Sequence, residues 1–165
     1  AAPEGGVPRF LADAMLGRLA TWLRILGYDA EYDRSADPVL LARARREDRV
    51  LLTRDTRLLR RRGVPAHLFI RSDAVQEQVR EVLAALRLPL EAAAGPRCLR
   101  CNVLLEPRSR AEVEDRVPDY VWASQAAFTG CPRRGRIYWP GTHRQHMREA
   151  MRALEAGGDA GASGS

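Results

Sequence analysis

Between Val7 and about Leu90 the chain alternates short apolar runs with amphipathic stretches, and few architectures accept that pattern. Strand candidates fall at 8–12, 28–32, 50–53 and 66–70, the second of them the most polar. Between them lie helical patterns. In 14–26, Met15, Leu16, Leu19, Trp22, Leu23 and Leu26 recur at the spacing of one helix face, and Gly27 supplies a stop. A second helix opens on Asp37-Pro38 and runs to about Glu47, and a short arginine-rich one covers 56–62 and ends at Gly63. The last, 74–87, aligns Val75, Val79, Val82, Leu83 and Leu86 on one side. Alternation of this kind predicts an α/β fold: a doubly wound parallel sheet of four or five strands with right-handed crossovers.

Four aspartates, Asp13, Asp37, Asp55 and Asp73, stand where an extended segment or its loop gives way to a helix, 18 to 24 residues apart. In such a fold these junctions share one edge of the sheet, the edge where ligand sites form. Clustered carboxylates repel unless a cation joins them, and a divalent metal is the usual one. Each aspartate also reads as a helix cap: Asp37 before Pro38, Asp73 with Gln76 as a capping box, Asp55 after VLLTR, and Asp13 before the first helix. Capping and metal binding can coexist. Thr53-Arg54-Asp55 strengthens the metal reading, because a hydroxyl and a carboxylate leaving one strand tip can orient a neighbouring acid. Arg43, Arg45, Arg46, Arg57 and Arg60–Arg62 could track a phosphate backbone, or form a solvated face.

At 165 residues the chain suits one domain with a small appendage, and we divide it into 7–92, 96–155 and a flexible tail, 156–165. No apolar run approaches the ~20 residues of a bilayer span, and the first residues lack a signal-peptide pattern, so a cytoplasmic chain is expected. The net charge is +6 and every one of the 27 basic residues is arginine. That excess is shared between the halves, with 16 Arg against 13 acids in 1–95 and 11 against 8 beyond. A basic protein with an acidic pocket suggests a polyanion brought to metal ions. A phospho-receiver reading fails for want of a lysine.

EAAAGPR at 91–97 breaks the alternation. Turns and short β segments follow, then a final helix at about Thr142–Leu154. Of the three cysteines, Cys98 and Cys101 have the C-x-x-C spacing of half a zinc site.

RFLADAMLGRLATWLRILGYDAEYDRSADPVLLARARREDRVLLTRD, RCLRCNVLLEP and GRIYWPGTH together closely resemble the Mut-seven C-terminal RNase family, a branch of the PIN-like nucleases, over about residues 8–152. The resemblance implies a PIN-like α/β/α sandwich that cuts RNA with Mg²⁺ or Mn²⁺, followed by a zinc-ribbon-like β module and terminal helix. Asp13, Asp37 and Asp55 match the family's acids and would hold the metal; Asp73 is placed where a further acid often stands, with Asp33 its competitor and Thr53 a helper. Arg54, Arg57, Arg133, Arg134 and Arg136 would hold RNA, with Arg144 and Arg148 extending the basic patch. The second knuckle should read C-P-x-C-G-x-I-Y-W, but Arg134 stands where the fourth thiolate belongs. Zinc on Cys98, Cys101 and Cys131 would then need His143, His146 or water. Otherwise Trp122, Phe128, Tyr138 and Trp139 hold the ribbon together. The implied partner is RNA, with no membrane and no small-molecule cofactor; a ubiquitin-like segment can precede this region in related chains, and residues 1–6 would be its linker. The rival reading keeps the fold as an RNA- or ribosome-binding module without useful catalysis. A toxin-like nuclease with a cognate inhibitor is a third.

Overall fold

The computed structural model describes residues 6–139 together with Glu149 and Arg152. Apart from Glu149 and Arg152, the expected terminal helix lies outside the described residues, as do the tail, His143, His146, Arg144 and Arg148, and among those described no helix is long and apolar enough to cross a membrane.

The alternating region folds into four parallel strands, β1 (Phe10–Ala12), β2 (Ala30–Tyr32), β3 (Val50–Thr53) and β4 (His67–Phe69). They are joined by α1 (Gly17–Ile25), α2 (Asp37–Arg46) and α3 (Thr56–Leu59), and α4 (Val75–Leu86) follows. The strand order is β2-β1-β3-β4. The chain therefore steps one way from β1 to β2 and the other way to β3 and β4, leaving a switch point between the C-terminal ends of β1 and β3.

Side-chain alternation along β1 divides the core. Phe10 and Ala12 join Leu52 with Leu16, Leu19 and Leu23 from in and before α1 and Val79 and Val82 of α4. Leu11 and Leu51 face the other way, onto Leu40, Leu41 and Ala44 of α2 and Leu58 of α3. Helices thus cover both faces of the sheet, as a run of fully buried residues in a parallel strand requires. Each fully buried Leu or Phe contributes about 1.5–3 kcal/mol of transfer free energy, so this double packing is what fixes the strand tips in place.

The capping expectations need correction at three of the four aspartates. α1 begins at Gly17, three residues late, because Asp13–Leu16 closes its own turn: Leu16 N–H donates to the Asp13 carbonyl at 3.1 Å. Ala36 is the N-cap of α2, and Asp37 sits one residue inside, where its charge meets the positive helix end. α4 is capped by Ala74 without a side-chain bond, and Gln78 rather than Gln76 reaches back, to the Ser72 carbonyl at 2.9 Å. Asp55 alone caps its helix, accepting from Arg57 N–H at 2.9 Å. Gly27 ends α1 with φ +94°, and a Cβ there would stand 2.6 Å from the Gly95 carbonyl oxygen. Segment 91–97 therefore folds back on α1, with Ala92 N–H donating to Leu26.

Beyond it, β5 (Glu106–Arg108), β6 (Phe128–Gly130) and β7 (Ile137–Tyr138) form a small antiparallel sheet in the order β5-β6-β7. Two minor cores flank it. One holds Val113, Val117, Val121 and Phe128 with Trp122 and Trp139; the other holds Cys98, Cys131 and Tyr138. α5 (Arg110–Val113) is held by a Ser109–Glu112 capping box, and α6 (Asp119–Ser124) follows it.

The ribbon rests on edge strand β2. Asn102, 4% exposed, accepts from Ala30 N–H at 3.0 Å and donates to Asp29 Oδ1 at 2.7 Å and Glu31 Oε1 at 3.3 Å. From the other side Arg24 donates to the Ala30 carbonyl at 2.8 Å and the Leu99 carbonyl at 2.7 Å. The open edge of β2 is thereby covered, which protects a strand otherwise able to pair with another chain.

Candidate active site

β1 delivers Asp13 and β3 delivers Thr53 and Asp55 to the switch point. Thr53 is fully buried and its hydroxyl works in both directions: it donates to Asp13 Oδ2 at 2.5 Å and accepts from Asp55 N–H at 2.9 Å. One side chain thus ties the Asp13 carboxylate to the backbone of Asp55, 42 residues further along the chain. Asp13 Oδ1 accepts from Met15 N–H at 3.0 Å, so each carboxylate oxygen has one partner and keeps a lone pair for another.

Asp13 is only 6% exposed. Burial raises its pKa above the ordinary carboxylate value; the Thr53 and Met15 hydrogen bonds oppose that, and the charges of Asp55 and Asp37 reinforce it. Asp13 therefore feels both Asp55 and Asp37 across this rim. They form a looser group than the cysteines: among the described residues, Cys98, Cys101 and Cys131 are the only trio whose ligand atoms all lie within 4.8 Å of one another. Carboxylate oxygens are hard donors of the kind that small divalent cations take.

Arginines decide which acids remain available. Asp37 Oδ2 lies 3.3 Å from Arg61 Nε, so a cation at Asp37 must share it with that guanidinium. Asp73 is turned to solvent, its side chain 90% exposed, and pairs with Arg54 at 2.6 Å. It does not join the other three here. Asp33 is held by Arg43 at 3.0 Å and by Ser35 N–H at 2.7 Å; burial pushes its pKa up, but these bonds bring it net below the usual range. Asp33 is accordingly a settled ion-pair partner, and Arg43, a candidate phosphate contact, is engaged with Asp33, Glu31 and Glu47. Arg57 stays exposed on α3, beside Asp55.

The Asp37–Arg61 pair and the role of Arg43 escaped the sequence reading, as did Tyr32. Tyr32 donates to the Ala14 carbonyl at 2.8 Å beside Asp13, with its ring over Gly17, where a Cβ would lie 3.3 Å from the ring. The one available signal was the Met-Leu-Gly sequence, whose glycine leaves room for that ring.

In the ribbon, burial works against ionisation of Cys98, but hydrogen bonds from the Tyr138 hydroxyl, the Cys101 and Arg100 backbone and Cys131 bring its pKa down to about 7. Three soft donors could hold a metal ion, provided a fourth ligand comes from outside the trio. Arg134 offers no lone pair for it.

A parallel sheet with one buried and two half-buried carboxylates near its switch point, and a three-cysteine ribbon docked on its edge, defines the class: an α/β protein with a small β appendage. The family model for the Mut7-C RNAse domain matches residues 8–151, and the chain belongs to that family, an RNase family. The four-stranded parallel sheet flanked by helices, with its small antiparallel sheet, is consistent with a PIN-like fold. No curated protein and no solved structure matches the chain.

Proposed function

We propose that this protein is a metal-dependent ribonuclease that hydrolyses RNA phosphodiester bonds at the rim formed by Asp13, Asp37 and Asp55. The observation that carries the reading is the Thr53 hydroxyl bridging Asp13 and the Asp55 backbone at the β1/β3 switch point. Such an arrangement fixes the Asp13 carboxylate against the backbone from which Asp55 projects, without neutralising either acid. A divalent cation bound there, Mg²⁺ or Mn²⁺, would supply water activation and neutralise charge growing on the phosphate. The chain's own part is positional. Asp13, Asp55 and Asp37 hold the ion, Thr53 orients Asp13, and Arg57 and Arg54 meet backbone phosphates on either side. Arg61, the ion-pair partner of Asp37, would compete with the cation for that acid. Phosphate contacts of this kind tolerate any base sequence and weaken with salt.

The test is cleavage of a labelled single-stranded RNA in Mn²⁺ by wild type and by Asp13→Asn/Asp55→Asn. Wild-type cleavage that EDTA abolishes and the double variant lacks supports the proposal; equal activity in both proteins refutes it. One observation favours the binding-module reading: Arg61 and Arg54 already pair with two of the four expected acids. On that reading the wild type binds the RNA and leaves it intact in every metal tried.

A further inference from the structure

The ribbon's two knuckles share one hydrogen-bond register. In the first, Asn102 N–H donates to the Cys98 carbonyl at 2.9 Å and Cys98 N–H to the Val103 carbonyl at 2.9 Å. In the second, Gly135 N–H donates to the Cys131 carbonyl at 2.8 Å and Cys131 N–H to the Arg136 carbonyl at 2.8 Å. Asn102 and Gly135 take the same left-handed backbone, φ +62° and +75°. Residue for residue, Arg134 therefore occupies the place of Cys101. The knuckle has kept its fold and exchanged a thiol for a guanidinium.

That exchange reverses the chemistry of the space between the knuckles. A cavity of about 200 Å³ is lined by Cys98, Arg100, Cys101, Arg134 and Arg136, with no carboxylate among them. Among the described residues neither Arg100 nor Arg134 takes part in a salt bridge, whereas Arg24, Arg43, Arg49, Arg54 and Arg61 all do. Arg136 reaches the Tyr138 hydroxyl, whose oxygen also meets Cys98 Sγ at 3.3 Å, which ties that arginine to the floor of the cavity. Guanidinium forks on a small concavity match the oxygens of a phosphate group.

We infer that the altered knuckle is a phosphate-binding pocket that seats one backbone phosphate of RNA on Arg134 and Arg100. The nature of the polyanion rests on the ribonuclease reading. Asn102 pins the pocket to β2, so a strand seated there is held in fixed relation to the sheet. Phosphate and zinc would compete at this site, since Cys98 and Cys101 line the same cavity as Arg134 and Arg134 supplies no fourth zinc ligand.

The experiment uses the full chain in EDTA with a fluorescein-labelled single-stranded RNA dodecamer, read by anisotropy across a salt series. Arg134→Ala should weaken binding about tenfold, the loss of one charge-assisted contact. Its log–log salt slope should fall by about 0.7, the value for one phosphate contact on a single strand. Arg80→Ala, which removes one positive charge on α4 away from both the acidic rim and the cavity lining, should stay within about twofold. Arg134→Cys should lose RNA affinity like Arg134→Ala, and should take up zinc against a colorimetric chelator that strips it from wild type. Equal losses in Arg80→Ala and Arg134→Ala, an unchanged Arg134→Ala, or zinc held as firmly by wild type as by Arg134→Cys would each overturn the inference. Arg134-dependent binding without cleavage would remove the nuclease reading and leave the pocket; cleavage without Arg134 dependence would remove the pocket alone.

Discussion

Asn102 offers the sharpest stability prediction, because its side chain spans the ribbon and the parallel sheet. Replacing it by glycine keeps the left-handed backbone accessible, so the effect reports the side chain alone. Three bonds disappear. Ala30 N–H, in a fully buried residue on β2, loses its acceptor, and an unsatisfied buried amide costs about 1–3 kcal/mol. Asp29 loses one donor but keeps Arg49 at 2.7 Å, so that bond falls at the low end of the charged range, about 1.5 kcal/mol. The Glu31 contact, at 3.3 Å and partly exposed, adds little. The sum is about 3 kcal/mol, or a fall in Tm of about 6–12 °C for a chain of this size. Urea unfolding followed by circular dichroism measures it, with Asn102→Asp as a second variant. A carboxylate there would face Asp29 and Glu31 and leave Ala30 N–H its acceptor, so its instability should ease below about pH 4. A loss under about 1 kcal/mol for Asn102→Gly would refute the idea that this residue anchors the ribbon.

Thr53→Val keeps the shape and removes the hub between Asp13 and Asp55; Mn²⁺ affinity and RNA cleavage should fall about 10–100-fold while the fold persists, as loss of an orienting partner does. Because burial raises the Asp13 pKa, the folded state holds that proton more tightly than the unfolded one. Metal-free wild type should therefore lose stability relative to Asp13→Asn as pH rises from the ordinary carboxylate value through the raised one. Mn²⁺ at about a hundred times its Kd should return about 2.7 kcal/mol to wild type only; thermal melts at pH 4 to 7 with and without the ion check both. Arg61→Ala should tighten Mn²⁺ binding by up to about fivefold, the worth of a half-exposed ion pair, by isothermal titration.

The sheet was legible in the sequence because burial on both faces leaves continuous apolar runs such as VLLT, and an amphipathic helix repeats at 3.6 residues. The acids at Asp13 and Asp55 were legible for a related reason: alternation places every strand-to-helix junction on one edge. What lay beyond local pattern was which charges meet. Asn102 reaches Ala30 across 72 residues, and nothing near either residue signals it except the RCxxCN motif. Arg61 on Asp37 and Arg54 on Asp73 likewise depend on side-chain reach rather than spacing. The Asp55 cap held and the other three failed by small offsets; whether Asp37 is the N-cap or the next residue turns on the extended backbone of Ala36, φ −62°, ψ 156°. The second knuckle was read correctly as missing a thiol, but its preserved hydrogen-bond register needed coordinates.

Crystals soaked in Mn²⁺ and measured at the manganese edge test the central claim most directly. The account predicts an anomalous peak within coordination distance of both Asp13 and Asp55, which vanishes in Asp13→Asn. A peak at one acid alone, or none at concentrations that support cleavage, would contradict it.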